Sequence, residues 1–327
     1  MLTPRQNFLE TIKGGNPDRF VKQYEFFSAF PDPCMTMGYP SAEGDTVVNE
    51  WGVTISWPVG IVTPYPIHDE RHKVVGDITR WRDFVKIPEV DFPDDVWESA
   101  VEAAEAVDKT QQFLAAGLFP GFFEFLHYLM GMNDCLYNMA AYPDQIHELV
   151  DVYLDFLMRR SDAIVKHVKP DMLMFSDDLG TSTSSFMSPE MFQEFFLPAY
   201  QQLFAKWRSN GVELIYHHND SYSANLVPYI IEAGADVWQG CLTSNDVPAL
   251  VQEYGGRLSF MGDIDSSVVD SPDWTRELIE GEVRRACETN GKLYFIPCMT
   301  MGGAPALYDG VFEYIDECID RMSEEMF

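Results

Sequence analysis

Basic residues are scarce in this chain: 22 Lys and Arg stand against 52 Asp and Glu among 327 residues, a formal net charge of −30. Phosphate recognition runs on clustered cationic side chains, so nucleic acid is excluded as a partner. Docking on an anionic membrane is disfavoured for the same reason. Long apolar runs are also missing, and no window approaches the ~20 residues of a membrane span. The opening MLTPRQNFLETIKGG has no signal-peptide core and reads as a helix. The six cysteines, Cys34, Cys135, Cys241, Cys287, Cys298 and Cys318, form no CxxC pair. Neither a disulfide framework nor a zinc ribbon is indicated, and a soluble cytoplasmic protein is expected. No low-complexity linker or long-period repeat divides the chain.

Hydrophobic residues make up 46% and aromatics 14%, so the charge coats a substantial core. One domain over 1–327 is expected. Thr3-Pro4 caps a first helix that Gly14-Gly15 stops. A strand is expected at 20–26, then an irregular excursion over 30–97, rich in Pro, Gly and Trp. Inside it, residues 50–57 alternate in the manner of a hairpin strand. From residue 98 strands at 112–118, 172–175, 213–216, 236–239, 258–261 and 293–296 alternate with helices. That rhythm means parallel strands with right-handed crossovers. The expected fold is α/β, a distorted (β/α)8 TIM barrel with an N-terminal hairpin-bearing excursion and one strand unplaced. A doubly wound open sheet is the alternative, but no GxGxxG follows any strand.

Barrel chemistry lies where strands end. Here the strand ends deliver Tyr24-Glu25, Ser176-Asp177-Asp178, His217-His218-Asn219-Asp220, Gly240-Cys241, Gly262-Asp263-Ile264-Asp265 and Pro297-Cys298-Met299. Acids, imidazoles and a thiol at one mouth suit a metal or acid–base site. Each has a bland reading beside it. Asp177-Asp178 can cap the following turn, a lone strand-end His is commonly structural, and Cys298 alone is a small buried hydrophobe. Alternation sends one of His217 and His218 to the barrel axis and the other to the helices. Pro33-Cys34-Met35-Thr36-Met37-Gly38 recurs as Pro297-Cys298-Met299-Thr300-Met301-Gly302. Chance explains the match, unless both loops line one cavity for a flat apolar ligand.

Thr3-Pro4-Arg5 with Phe8, the run at 14–19, Phe175 to Thr181, Met187 to Phe192, Phe196-Leu197-Pro198, Ile215 to Asp220, Gly234 to Val237 and Gly262 to Asp265 together carry a family likeness. The chain resembles the uroporphyrinogen decarboxylase superfamily over essentially its full length. Within it, Asp177-Asp178-Leu179-Gly180-Thr181 is similar to the cobalamin-dependent methyltransferases and O-demethylases. The Arg cluster of true decarboxylases is missing after Phe20. The resemblance implies a distorted TIM barrel and zinc held by His217 and Cys298. Asn219, a poor ligand, stands at the middle motif position, so Glu25, Asp178 or Asp220 would replace it. It further implies that Asp178, Glu25, His218 and Asn219 position substrate or move a proton. Tyr24, Asp177, Asp220, Gly262, Asp263 and Met299 would contact substrate or cofactor, with aromatic loops at 119–125 and 51–57 shaping the pocket. The implied reaction moves a methyl group between a small, methoxylated donor and a corrinoid on a partner protein, or from methylcorrinoid to an acceptor. A homodimer is among the candidate assemblies. Decarboxylation and a catalytically degenerate binding barrel are the alternatives.

Overall fold

The structure, a computed structural model, describes residues 1–35, 38–61, 63–299 and 306–327. The described strands, in chain order, are β1 Phe27–Ala29, β2 Thr46–Val48, β3 Thr54–Ser56, β4 Tyr65–Pro66, β5 Phe113–Leu118, β6 Met172–Ser176, β7 Leu214–His218, β8 Val237–Cys241, β9 Ser259–Ile264 and β10 Phe295–Met299. β1 and β5 to β10 pair in chain order as one seven-stranded sheet, and every pairing in it is parallel. Helices cover its outer face, among them Phe122–Met130, Pro143–His167, Leu197–Ser209, Arg276–Asn290 and Val311–Met326. This is the curled sheet of a TIM-like barrel, as the strand–helix rhythm requires.

Side chains alternate across the sheet. Phe113, Ala115, Met172, Leu214, Tyr216, Val237, Met261, Ile296 and Cys298 fill the interior cluster. Leu114, Ala116, Leu173, Phe175, Ile215, Trp238, Phe260 and Phe295 join the larger cluster under the helices. Burial on both faces explains why the strands read as near-continuous apolar runs. The first helix, Pro4–Ile12, starts in a capping box between Thr3 and Gln6. It seats Phe8 against Phe26 at 4.1 Å and against Phe113, closing the N-terminal floor.

The strand expected at 20–26 is displaced. Those residues form a turn, with Glu25 N bonded to Lys22 O, and pairing starts at Phe27. Phe20, Val21 and Phe26 are buried, but as turn residues that pack the barrel floor and wall. A short apolar run does not by itself distinguish these roles. An eighth strand is not formed among the described residues. Between β10 and the start of the chain, Gln23 stands in for a ladder: its Oε1 accepts from Met299 N at 3.1 Å, and its Nε2 donates to Asp316.

The excursion contains the expected hairpin, β2 to β4 pairing antiparallel. Trp51 leaves it to pack among Phe125, Tyr153 and Phe156 under the helices. The 51–57 loop therefore anchors the excursion, and Trp51 does not reach the barrel mouth. A buried ion pair fastens the excursion's first turn. Arg160 donates to Asp32 Oδ2 from Nε at 2.8 Å and also to Gly117 O on β5. Both side chains are almost fully buried.

Removing one member of a buried pair leaves an uncompensated charge. Asp32→Ala should lower the unfolding free energy by roughly 3–5 kcal/mol, read from urea titration. A second change, Arg160→Met, should restore most of that loss, and additive losses would contradict the pairing.

Candidate active site

The C-terminal ends of β6 and β7 lie side by side, with Ser176 paired to His218. Two residues beyond each end come Asp178 and Asp220, tied by a bond from Asp220 N to Asp178 Oδ1 at 2.9 Å. Candidate ligand atoms of Asp178, His218 and Asp220 all lie within 4.8 Å of one another. One imidazole nitrogen and two carboxylate oxygens are ordinary donors for zinc and similar divalent ions. Three protein donors with room for another ligand are the pattern of a catalytic site rather than a structural one. The donor set therefore fits the metal that the resemblance implies, with different members.

His217 is not among them. Strand alternation turns it outward, between the rings of Phe175 and Tyr200, with Nδ1 on Phe175 O at 3.2 Å. Its Nε2 is buried without a partner. His218 takes the inward position, and Gln239 Oε1 on β8 holds its Nδ1. Cys298 also faces inward, but it lies in the apolar interior with Sγ on Met299 O at 3.2 Å. Burial pushes its thiol up to about 12, so it stays protonated.

Asn219 is fully committed to its neighbours. Its side chain donates to Ser223 and accepts from Ser221 and Leu179 N, stitching the loops after β6 and β7. Gly240, at φ 94°, permits this packing, because a Cβ there would meet Asn219 O at 2.8 Å. Asp263 faces the helices, bonded to Arg285 and Asn290. Gly262 packs its backbone on Cys241, and Met299 sits under the helix layer. Glu25 lies at the other end of the strands: its carboxylate accepts from Lys22 N, and its carbonyl accepts from Gln112, just before β5. Tyr24 enters the interior, where Gln239 Nε2 donates to its hydroxyl.

Asp177 serves as a helix cap from a distance. Its oxygens accept from Phe123 N and Glu124 N, the first turn of Phe122–Met130, and from the Tyr200 hydroxyl at 2.6 Å. Asp177 therefore caps the preceding helix and not, as its bland reading had it, the turn that follows it. Gly121 makes the approach feasible, since a Cβ there would lie 2.1 Å from Asp177 Cβ. Burial pushes Asp177 up to about 7 in spite of those three bonds. Burial, then the neighbouring Asp178 charge, pushes Asp220 up to about 7 as well.

Glu124 completes the acidic pocket and was not singled out in the sequence. There it reads only as a first-turn acid, and its Oε2 does accept from Gly121 N. Burial and the charges of Asp178 and Asp177 raise it well above the ordinary carboxylate range, toward its protonated form. The excursion adds Tyr39, beside Phe119 at 5.8 Å, its hydroxyl pushed up by burial and then by the Glu124 charge. The repeated hexapeptide cannot be followed across the mouth, since 36, 37 and 300–302 lie outside the described residues.

His217 gives a direct test. Burial depresses His217 from 6.5 to about 3, against the bond to Phe175 O. The unfolded chain takes up this proton near 6.5 while the folded protein refuses it until about 3. Stability present above that window is therefore lost as pH falls through it. His217→Leu should stay within about 1.5 kcal/mol of the parent at neutral pH, the scale of one hydrogen bond. It should also show a flatter acid limb in urea titrations. A limb as steep as the parent's would contradict the buried neutral imidazole.

Known proteins fit this picture. The sequence profile of the family described as Uroporphyrinogen decarboxylase (URO-D) matches residues 60–298. A methylated-thiol–coenzyme M methyltransferase of Methanosarcina mazei is 28% identical over 191 residues, 55% of this chain and 47% of that protein. The match thus spans about half the length of that relative. A solved methyltransferase structure from Methanosarcina mazei superposes with a TM-score of 0.67 at 13% identity, covering 98% of this chain and 99% of the other, a likeness of fold. With the profile matched over most of the barrel, the chain belongs to the uroporphyrinogen decarboxylase family.

Proposed function

We propose that this protein transfers a methyl group from a small methoxylated donor to a corrinoid carried on a partner protein. The observation that carries the reading is the convergence of Asp178, His218 and Asp220 at the mouth of the parallel sheet. The methyltransferase named among its relatives supports the same class of reaction. A divalent ion such as zinc, bound by these three residues, supplies Lewis acidity toward the heteroatom that bears the methyl group.

The donor set also bears on the substrate. The named relative acts on a methylated thiol. In this chain the grouped ligands are two carboxylates and one imidazole, with no thiolate among them. Oxygen donors favour harder partners, which argues for an ether oxygen rather than a thioether. Glu124, whose burial and acidic neighbours favour the protonated form, can hand a proton to the departing oxygen. Asp177 and Tyr200 keep the first turn of Phe122–Met130 in place, and with it the Glu124 backbone. Tyr39 and Phe119 offer apolar wall area that positions a substrate and excludes water.

Decarboxylation of a substrate rich in carboxylates would need cations where acids gather instead, and the carboxylates of Asp178 and Asp220 repel it. A binding-only barrel gives no account of several buried acids held against their own desolvation.

Metal analysis of the purified protein and visible spectroscopy of cob(I)alamin test the proposal together. Stoichiometric metal is expected, with loss of the cob(I)alamin spectrum on adding a methoxylated donor. His218→Ala and Asp220→Ala should lose both metal and turnover. Glu124→Gln should keep the metal and lose about 10²–10⁴-fold in rate, the range for a general acid. A metal-free protein, or no turnover with any methoxylated donor, would sink the assignment.

A further inference from the structure

We infer that Gln239 is the positioning residue of this centre: it holds His218 as the Nδ1–H tautomer, so that Nε2 faces Asp178 and Asp220. The inference rests on the metal reading of that trio and adds to it a residue outside the ligand set.

Gln239 is fully buried on β8, directly opposite His218 in the ladder. Its amide has two distinct neighbours. Oε1 meets His218 Nδ1, and Nε2 meets the Tyr24 hydroxyl at 3.2 Å. An amide can in principle be turned end for end, so its orientation has to follow from the rest of the network. The structure places the two ends distinctly: the amide nitrogen faces the Tyr24 hydroxyl oxygen, which accepts, and the carbonyl faces His218 Nδ1.

A carbonyl is purely an acceptor, so the His218 nitrogen it meets carries the proton. The neutral ring then has its lone pair on Nε2, the form in which imidazole binds a metal. The chain of donors runs one way, from His218 to Gln239 and from Gln239 to Tyr24. No titratable carboxylate is needed to fix the tautomer. Metal-binding histidines generally gain orientation and basicity from such a partner on the second nitrogen. Here the partner is a neutral amide, set by a tyrosine from the turn before β1. This gives Tyr24 a task, orienting the ligand without touching the metal.

The test compares Gln239→Leu, Gln239→Glu and Tyr24→Phe with the unaltered protein. Two measurements are made: zinc affinity by competition with a chromophoric chelator, and histidine tautomers by NMR with ¹⁵N-labelled histidine. The unaltered protein should bind zinc and show His218 protonated at Nδ1. Gln239→Leu should bind zinc about 10–100-fold more weakly, the usual effect of losing such a partner. Gln239→Glu keeps an acceptor toward Nδ1 and should bind at least as tightly as the parent. Tyr24→Phe leaves the packing of Gln239 nearly intact and should fall between the two, which keeps the test decisive if Gln239→Leu does not fold. Parental affinity in Gln239→Leu, or a loss in Gln239→Glu equal to that in Gln239→Leu, would overturn the inference while leaving the metal centre standing. No zinc on the unaltered protein would overturn both.

Discussion

Burial on both faces of a parallel sheet gives each strand residue one of two destinations, the axis or the helices. The chemistry of this barrel depends on that choice. His217 and His218 are adjacent in the chain, yet one is wedged between Phe175 and Tyr200 and the other stands with Asp178 and Asp220. The acids join it because they lie two residues past their strand ends, where the backbone has left the ladder and can turn over the mouth. Gln239 is inward on β8 by the same alternation and is paired with His218 in register. A slip of one residue on β7 would exchange the two imidazoles and dissolve the centre.

The electrostatics of the mouth run against the average of the protein. A chain of net charge −30 has little reason to bury further acids, because each loses hydration and repels the others. Asp177 offsets part of this by accepting two backbone N–H groups at a helix start, where the dipole favours negative charge. Glu124 meets it through a shift toward its protonated form. The remaining pair, Asp178 and Asp220, is left facing an imidazole. A cation at that point would relieve the repulsion that the fold otherwise sustains. A partner protein must meanwhile approach an anionic surface, which calls for basic or apolar contact patches of its own.

Much of this was legible in the sequence, and the failures have identifiable causes. Six of the seven parallel strands announced themselves as apolar runs between helices, and the mouth residues after β6 and β7 followed from their ends. The first strand was misplaced because Phe20, Val21 and Phe26 are apolar for the sake of the floor. That error carried Glu25 to the wrong end. The resemblance chose His217 and Cys298, whereas the direction of each side chain depends on the register of its own strand. Glu124 and Gln239 had no sequence signal of their own. One looks like an ordinary helix-start acid, the other like a polar residue near the end of an apolar strand.

The excursion between β1 and β5 carries a kinetic consequence. Phe27 pairs with Phe113, so the first rung of the sheet closes a loop containing the whole hairpin-bearing segment. The later neighbours, such as β7 with β8, enclose far shorter connections. Closing the longer loop sacrifices more chain entropy before any contact rewards it. The C-terminal strands are thus the natural place for the sheet to nucleate, with β1 added last. Tyr24, just before β1, would then reach Gln239 only when the rest of the barrel is already assembled.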